Sequence, residues 1–387
     1  MRNLSAQLAS AFRDSGSGPA RTRRAGSALL LLAMVVLVAG CDMPSAASPA
    51  PTRPAPSTPP AAPPTTAFVL TTGTLSAVAL RGGRLLWSAS IPGQETTGLV
   101  VAPRLGRAYV LAGQPFTLTP VSLSTGAVGR PISLGPTVWS VALAPDGTTA
   151  YVVNAGTGIA DLPGPTGSTI TPVNLRAGRT GPAISVGDGP CGIAFAGDDT
   201  AYVSRPLAGR VTPVNLAAGR TGPGVAVPPA LGWQAVAPCT VAVAADAGLL
   251  AVGNLQQDLA SPAPVVDLLD LASHRWRQPI TLPGTSNAVY QLGFSPDARH
   301  VYVSARTGGG LTDTLYIASI ATGTLTQARL TGEVVAFAPT PDGGTLWVAA
   351  STGKAEGETA LLPVNAATGV PGPAVVDLPG GPVSIGL

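Results

Sequence analysis

Residues 170–178 read Ile170-Thr171-Pro172-Val173-Asn174-Leu175-Arg176-Ala177-Gly178, and this stretch decides the fold. Its first half is rich in β-branched residues, which suit a pleated strand. Its second half is turn chemistry, with Asn and Gly at the close. The same phrase, strand then short turn, returns at Leu75–Leu80, Thr119–Leu123, Thr171–Leu175, Thr212–Leu216, Leu268–Leu271, Tyr316–Ile320 and Leu362–Ala366. Measured between the last residues of these phrases, the spacing drifts from 41 to 55 residues. A drifting period of that length, β in character throughout, is the mark of a propeller blade repeat.

Each unit carries four strand-like pieces. In one full unit they are Trp139–Ala144, Thr149–Asn154, Thr169–Leu175 and Pro182–Val186. Between the first two lies Ala144-Pro145-Asp146-Gly147, a tight turn in which Pro presets φ and Gly tolerates positive φ. The turn recurs as Ser295-Pro296-Asp297-Ala298 and Thr340-Pro341-Asp342-Gly343. The second strand recurs as Ala108-Tyr109-Val110, Ala150-Tyr151-Val152, Ala201-Tyr202-Val203, Val301-Tyr302-Val303 and Leu346-Trp347-Val348. The first strand is small and apolar, as in Val141-Ala142-Leu143-Ala144, which fits the place where blades converge on an axis.

These residues resemble the YVTN family of β-propeller repeats. The best stretch runs from Ile170–Leu175 through Gly187-Asp188-Gly189-Pro190 to Ala201-Tyr202-Val203, and the resemblance covers about residues 67–387. It implies a propeller with the Gly-x-x-Pro strand innermost, and an extracytoplasmic surface or binding protein. The motifs speak to a fold, not to an activity. The pattern weakens at Leu249–Asn254, which lacks the aromatic residue, and at Phe68–Thr72.

The two ends of the repeat region complement each other. Pro382–Leu387 is a lone innermost strand, and Ala67–Leu70 is a second-type strand with no first strand before it. The expected architecture is all-β: a seven-bladed propeller of four-stranded blades, closed by N- and C-terminal strands sharing one blade. Closure removes the open sheet edges of a linear array.

Residues 1–40 read as a lipoprotein signal peptide. Arg21, Arg23 and Arg24 precede the 16-residue apolar run Ala25–Gly40, the length of a signal-peptide core and short of a membrane span. Val38-Ala39-Gly40-Cys41 resembles the bacterial lipobox, which implies lipidation of Cys41. The alternative is an ordinary signal peptide with an accidental Cys. Thr22-Arg23-Arg24 leaves the export route, general secretory or twin-arginine, open. Residues 41–66 read as the lipidated Cys and a Pro/Ala/Ser/Thr-rich linker, an extended segment that cannot bury a core. The expected location is the extracytoplasmic side of the cell membrane, with the propeller held there by its lipid.

The formal charge of +3 comes largely from the leader. Residues 1–40 hold five Arg and one Asp, and without them 17 basic and 18 acidic residues remain. A nearly neutral body with no basic stripe excludes nucleic acid as a partner. A monomer is expected.

Cys191 follows Pro190 and Cys239 follows Pro238, each opening an innermost strand in consecutive units. Equivalent positions in adjacent blades of a seven-fold ring are separated by about 0.87 of its radius, and a radius of roughly 5–8 Å brings the Cα atoms into disulfide range. Export permits the bridge. A Cys191–Cys239 disulfide is the expectation, with two separate buried thiols as the alternative.

Catalytic signals are thin. His274 and His300 lie in turns, without a nucleophile or metal-ligand set at a useful spacing. Asp146, Asp297 and Asp342 fill turn positions where Asp caps its own backbone, so calcium is not implied. No Gly-x-Ser-x-Gly elbow opens a helix. No catalytic residue, metal or cofactor is assigned. The departures from the repeat are long loops at 155–167, 228–238, 255–263, 306–314 and 351–359. Strand alternation puts them on one face, where insertions gather in ring proteins. Near the axis on that face fall Glu95, Trp139, Trp233, Gln234 and Asn287, and second-strand ends add Asn154, Arg205, Asn254 and Arg306. Aromatic, amide and Arg groups are what a binding rim uses. Trp139 and Trp233 either belong to such a rim or plug the channel. The favoured function is a non-catalytic binding or scaffold lipoprotein offering this face to a protein or a small molecule. The alternative is an enzyme, lactonase-like or quinone-dependent dehydrogenase-like, with its site at the channel mouth.

Overall fold

The computed structural model describes residues 64–93, 95–113, 115–155, 167–228, 237–255, 265–283, 288–306, 313–330, 334–352 and 357–387. They form seven antiparallel blades arranged as a ring. From the axis outward, blade one comprises Pro382–Gly386, Thr66–Thr71, Thr74–Ala79 and Leu85–Ser90. Blade two is Thr96–Ala102, Arg107–Ala112, Phe116–Ser122 and Ile132–Gly135. Blade three begins Val138–Leu143, Thr149–Asn154, Thr169–Asn174, and blade four Ile193–Phe195, Thr200–Arg205, Arg210–Asn215. Blade five begins Ala237–Ala244, Leu249–Leu255, Val265–Asp270. Blade six is Ala288–Phe294, His300–Arg306, Asp313–Ser319 and Leu325–Gln327. Blade seven is Val334–Pro339, Thr345–Ser351, Glu358–Asn365 and Val376–Pro379.

In blades three, four and five the fourth strand is split into two short pieces, such as Arg179–Thr180 and Ile184–Ser185. The sequence reads a single strand over Pro182–Val186. The break falls at Gly181-Pro182-Ala183, because Pro182 has no N–H for the ladder. A broken outer strand also blunts the exposed edge of the blade.

The core is distributed. The buried apolar side chains form seven clusters among the described residues, and each one joins two neighbouring blades. Alternation along a strand explains this. Ala150 and Val152 of blade three face blade two, and Tyr151 and Val153 face blade four. Successive side chains of a strand point to opposite sheet faces, so a strand sandwiched between two blades is apolar at every position. That is why the second strands read as Ala-Tyr-Val-Val runs and not as an apolar–polar alternation.

The ring closes as the sequence predicts. The inner strand Pro382–Gly386 pairs with Thr66–Thr71, with Phe68 opposite Gly386 and Leu70 opposite Ser384. Each inner strand packs against that of the next blade, and the series is completed by Pro382–Gly386 against Thr96–Ala102. Ile385 and Leu378 sit in the cluster between blades seven and one, with Val69 and Trp347.

Deleting residues 382–387 should therefore strip both interfaces of blade one. The expected outcome is loss of the cooperative thermal transition, or aggregation, followed by circular dichroism and light scattering. Ile385→Ala alone should cost about 2–5 kcal/mol, the range for truncating a buried aliphatic side chain. A truncated chain that melts like the intact one would show that closure does not run through this strand.

Candidate functional site

The mouth of the axial channel is built by one repeated irregularity. In six of the seven inner strands the ladder to the second strand slips by one residue at its start. The slip occurs between Thr96 and Gly98, Val138 and Ser140, Pro238 and Thr240, Val289 and Gln291, Val334 and Ala336, and opposite Leu70 and Thr71. The residues looped out are Thr97, Trp139, Cys239, Tyr290, Val335 and Val383. A β-bulge of this kind leaves one residue unpaired and re-aims its side chain. In blade four the equivalent residue is Cys191, whose N–H donates to the Ser204 carbonyl (2.9 Å), while the Ser204 N–H donates to the Gly192 carbonyl (2.9 Å).

In three of the blades the residue after the bulge clamps the next blade. Ser140 Oγ donates to the Cys191 carbonyl (2.8 Å), and Thr240 Oγ1 to the Val289 carbonyl (2.8 Å). Gln291 closes a two-bond clasp: its Nε2 donates to the Phe337 carbonyl, and its Oε1 accepts from the Phe337 N–H, both at 2.9 Å. Ser140, Thr240 and Gln291 thus tie blades three to four, five to six and six to seven, each one step past a bulge residue.

Two of the axial residues are large and open. Trp139 is 39% exposed and Tyr290 44%. They belong to blades three and six, three steps apart on a seven-fold ring, which puts the two positions on nearly opposite sides of it. The flanking long-loop segments at 156–166, 229–236, 256–264, 307–312 and 353–356 lie outside the described residues.

The residues expected at this rim separate into groups. Trp139 is at the mouth, and Glu95 is exposed just before the inner strand of blade two. Asn154 is turned into its own blade, where Nδ2 donates to Thr171 Oγ1 (2.9 Å) and Thr169 Oγ1 (3.2 Å). Arg205 lies over the loop that enters its own blade: Nε donates to the Asp188 carbonyl (3.4 Å). A Cβ on Gly187 would stand 2.4 Å from its Nη2. Cys41, Trp233, Gln234 and Asn287 lie outside the described residues, as do the side chains of Cys239, Asn254 and Arg306. Tyr290 and Thr97 were not singled out by sequence. The ladder registers put Tyr290 at the same bulge step as Trp139.

Perturbed acidities mark structural groups away from the mouth. Burial raises Tyr109, Tyr151 and Tyr202 and pushes Tyr302 up to about 12. The shifted carboxylates are turn caps. At Asp146 burial acts upward but is outweighed by the Thr148 and Thr149 N–H groups, at 2.7 and 2.8 Å, and the group is held low. Asp297 and Asp342 are lowered first by the hydroxyls of Ser295 and Thr340 and then by the N–H groups of Arg299 and Gly344. Asp270 is lowered to about 2 by the Ser273 N–H and hydroxyl, with Arg277 adding a 3.2 Å ion pair. His274 occupies a hairpin turn with φ of 54°, and His300 opens the second strand of blade six. Among the described residues no group of three or more His, Cys, Asp or Glu is placed to hold a metal ion.

No family model and no curated protein sequence matches this chain. Among solved structures it is similar to Kuenenia stuttgartiensis hydrazine synthase, with a TM-score of 0.57 and 19% identity over 69% of this chain and 76% of that one. At that identity the likeness is one of fold.

The four lowered carboxylates favour the folded state above the ordinary carboxylate range, and that contribution is lost as pH falls through their folded values. The melting temperature should therefore drop as pH falls below about 4. Asp270→Asn should reduce the slope of that drop. A melting temperature unchanged between pH 5 and pH 2 would contradict the capping roles.

Proposed function

We propose that this chain is a non-catalytic binding or scaffold lipoprotein of the bacterial cell surface, built on YVTN-type repeats. Its long-loop face receives a protein or a small molecule. The observation that carries the reading is the bulge ring, which offers Trp139 and Tyr290 across one open mouth while the adjacent residues hold the blades together. Half-exposed aromatic side chains opposed across a concavity are the usual anchors of a binding site. Among the described residues, the titratable groups with shifted acidity serve turns and core, which favours recognition over acid–base chemistry.

Anchoring rests on Arg21–Arg24, the apolar run Ala25–Gly40 and the Val38–Cys41 lipobox, followed by a Pro-rich linker. One acyl chain holds weakly, so two or three at Cys41 would supply stable attachment. The Cys191–Cys239 disulfide is supported by register. Both residues stand at the bulge step of adjacent inner strands that pack together, and Cys191 is 3% exposed. Closing a loop of about 48 residues would add roughly 4 kcal/mol through the unfolded state.

Intact-mass analysis of the exported protein tests both covalent features. The expected species begins at Cys41, carries acyl chains and gains no mass with an alkylating reagent until it is reduced. A Cys41→Ser chain that still partitions with membranes, or two alkylatable thiols without reduction, would overturn the respective feature. The binding face is tested by thermal-shift screening of the exported protein against metabolites, soluble glycans and secreted peptides. Trp139→Ala and Tyr290→Ala should each weaken a bound hit at least about tenfold. Hits indifferent to both substitutions would move the site away from the mouth.

A further inference from the structure

On the opposite face, where second strands begin and third strands end, blades two and three enclose an open groove of about 380 Å³. Its walls carry Arg107, Arg130 and Arg176, and no acidic residue lines it. Its floor is apolar, with Val128, Ile132 and the ring of Tyr109. The Tyr109 hydroxyl donates to the Leu175 carbonyl (3.1 Å), which fixes the wall of blade three beside Arg176. We propose that this groove binds a small phosphate monoester, with the three guanidinium groups on the phosphate and the organic body on the apolar floor. The inference does not rest on the long-loop reading.

The repeat itself supplies the first argument. Matched by strand register, the position of Arg107 is Thr66, Thr149, Thr200, Leu249, His300 and Thr345 in the other blades. The position of Arg176, one past the phrase-ending Leu175, is Arg81, Ser124, Ala217, Ala272, Ala321 and Ala367. Arg130 follows Gly129, whose N–H donates to the Pro120 carbonyl. The matching bonds of Gly181, Gly222 and Gly372 are each followed by Pro. The fold does not ask for arginine at any of the three positions. They come from separate segments and two blades, yet meet in one groove.

A second groove of the same kind, between blades five and six, serves as an internal comparison. It is lined by Arg277, Arg299 and His300. There the arginines have carboxylate partners, Asp270 at 3.2 Å and Asp297 at 3.8 Å. Arg107, Arg130 and Arg176 take part in no ion pair among the described residues. Asp146, on the turn whose Thr148 carbonyl holds the Leu175 N–H, spends its carboxylate on Thr148 and Thr149. Three uncompensated cations repel one another, and a divalent oxyanion relieves that repulsion better than a single carboxylate. Guanidinium forks match phosphate oxygens bidentately. The volume is at the lower end for small-molecule sites and exceeds a bare phosphate ion.

The test is calorimetric titration of the exported protein with phenyl phosphate, inorganic phosphate and benzoate at low ionic strength. Phenyl phosphate should bind, and more tightly than either of the other two. Arg107→Thr and Arg176→Ala, which install residues the repeat uses elsewhere, should each weaken it about tenfold without moving the melting temperature. Arg277→Gln in the companion groove should leave it unchanged. Absence of phenyl phosphate binding, equal binding of benzoate, or equal loss in Arg277→Gln would each overturn the proposal.

Discussion

Everything in this molecule depends on the packing of one blade against the next. A four-stranded sheet with apolar side chains on both faces cannot stand alone in water. Each blade here is buried on both sides, and the seven side-chain clusters are the seven interfaces. Such an arrangement has no end that could be left bare. A linear stack would expose two apolar faces, and only a ring removes both. The pairing of Thr66–Thr71 with Pro382–Gly386 is thus the condition under which the other interfaces are all satisfied.

Packing at this density leaves little freedom in the blades, and variation is confined to places that do not touch the interfaces. Gly253 shows the constraint. It stands where blade four has Ser204 and blade three Val153, and a Cβ there would lie 2.6 Å from Val289 Cγ1. The space is filled by Val289 of blade six, and two residues earlier blade five carries Ala251 where blades three and four have Tyr151 and Tyr202. The bulge step shows the freedom. Its occupants are Val383, Thr97, Trp139, Cys191, Cys239, Tyr290 and Val335, five residue types over seven blades. At Trp139 and Tyr290, where the side chain is well exposed, the step is open to selection by a ligand.

Seven variants of one strand-and-turn phrase made the fold legible, because repetition separates what the blade requires from what one unit happens to carry. The Asp turns were legible for the same reason, and the hydrogen bonds of Asp146, Asp297 and Asp342 are those of self-capping turns. The site was read less well. Asn154 and Arg205 were expected at the rim on position alone. Asn154 turns into its blade toward Thr169 and Thr171, and Arg205 is held over Gly187-Asp188. Position along a strand gives the height in the ring but not the direction of a side chain. That direction is set by the bulge, which has no residue signature and becomes visible only when both strands of a ladder are matched residue by residue.

The same limit explains why three arginines on separate segments escaped notice. Each alone is an ordinary solvated residue: one opens a strand, one follows a ladder glycine, one sits in a hairpin. Their convergence depends on the offset between adjacent blades, which the period of the repeat does not encode. Comparing equivalent grooves recovers it. Between blades five and six the cations have carboxylates beside them, and between blades two and three they do not. A ring of near-copies therefore carries its own controls, and the informative residues are those whose chemistry differs from their equivalents while the packing around them stays the same.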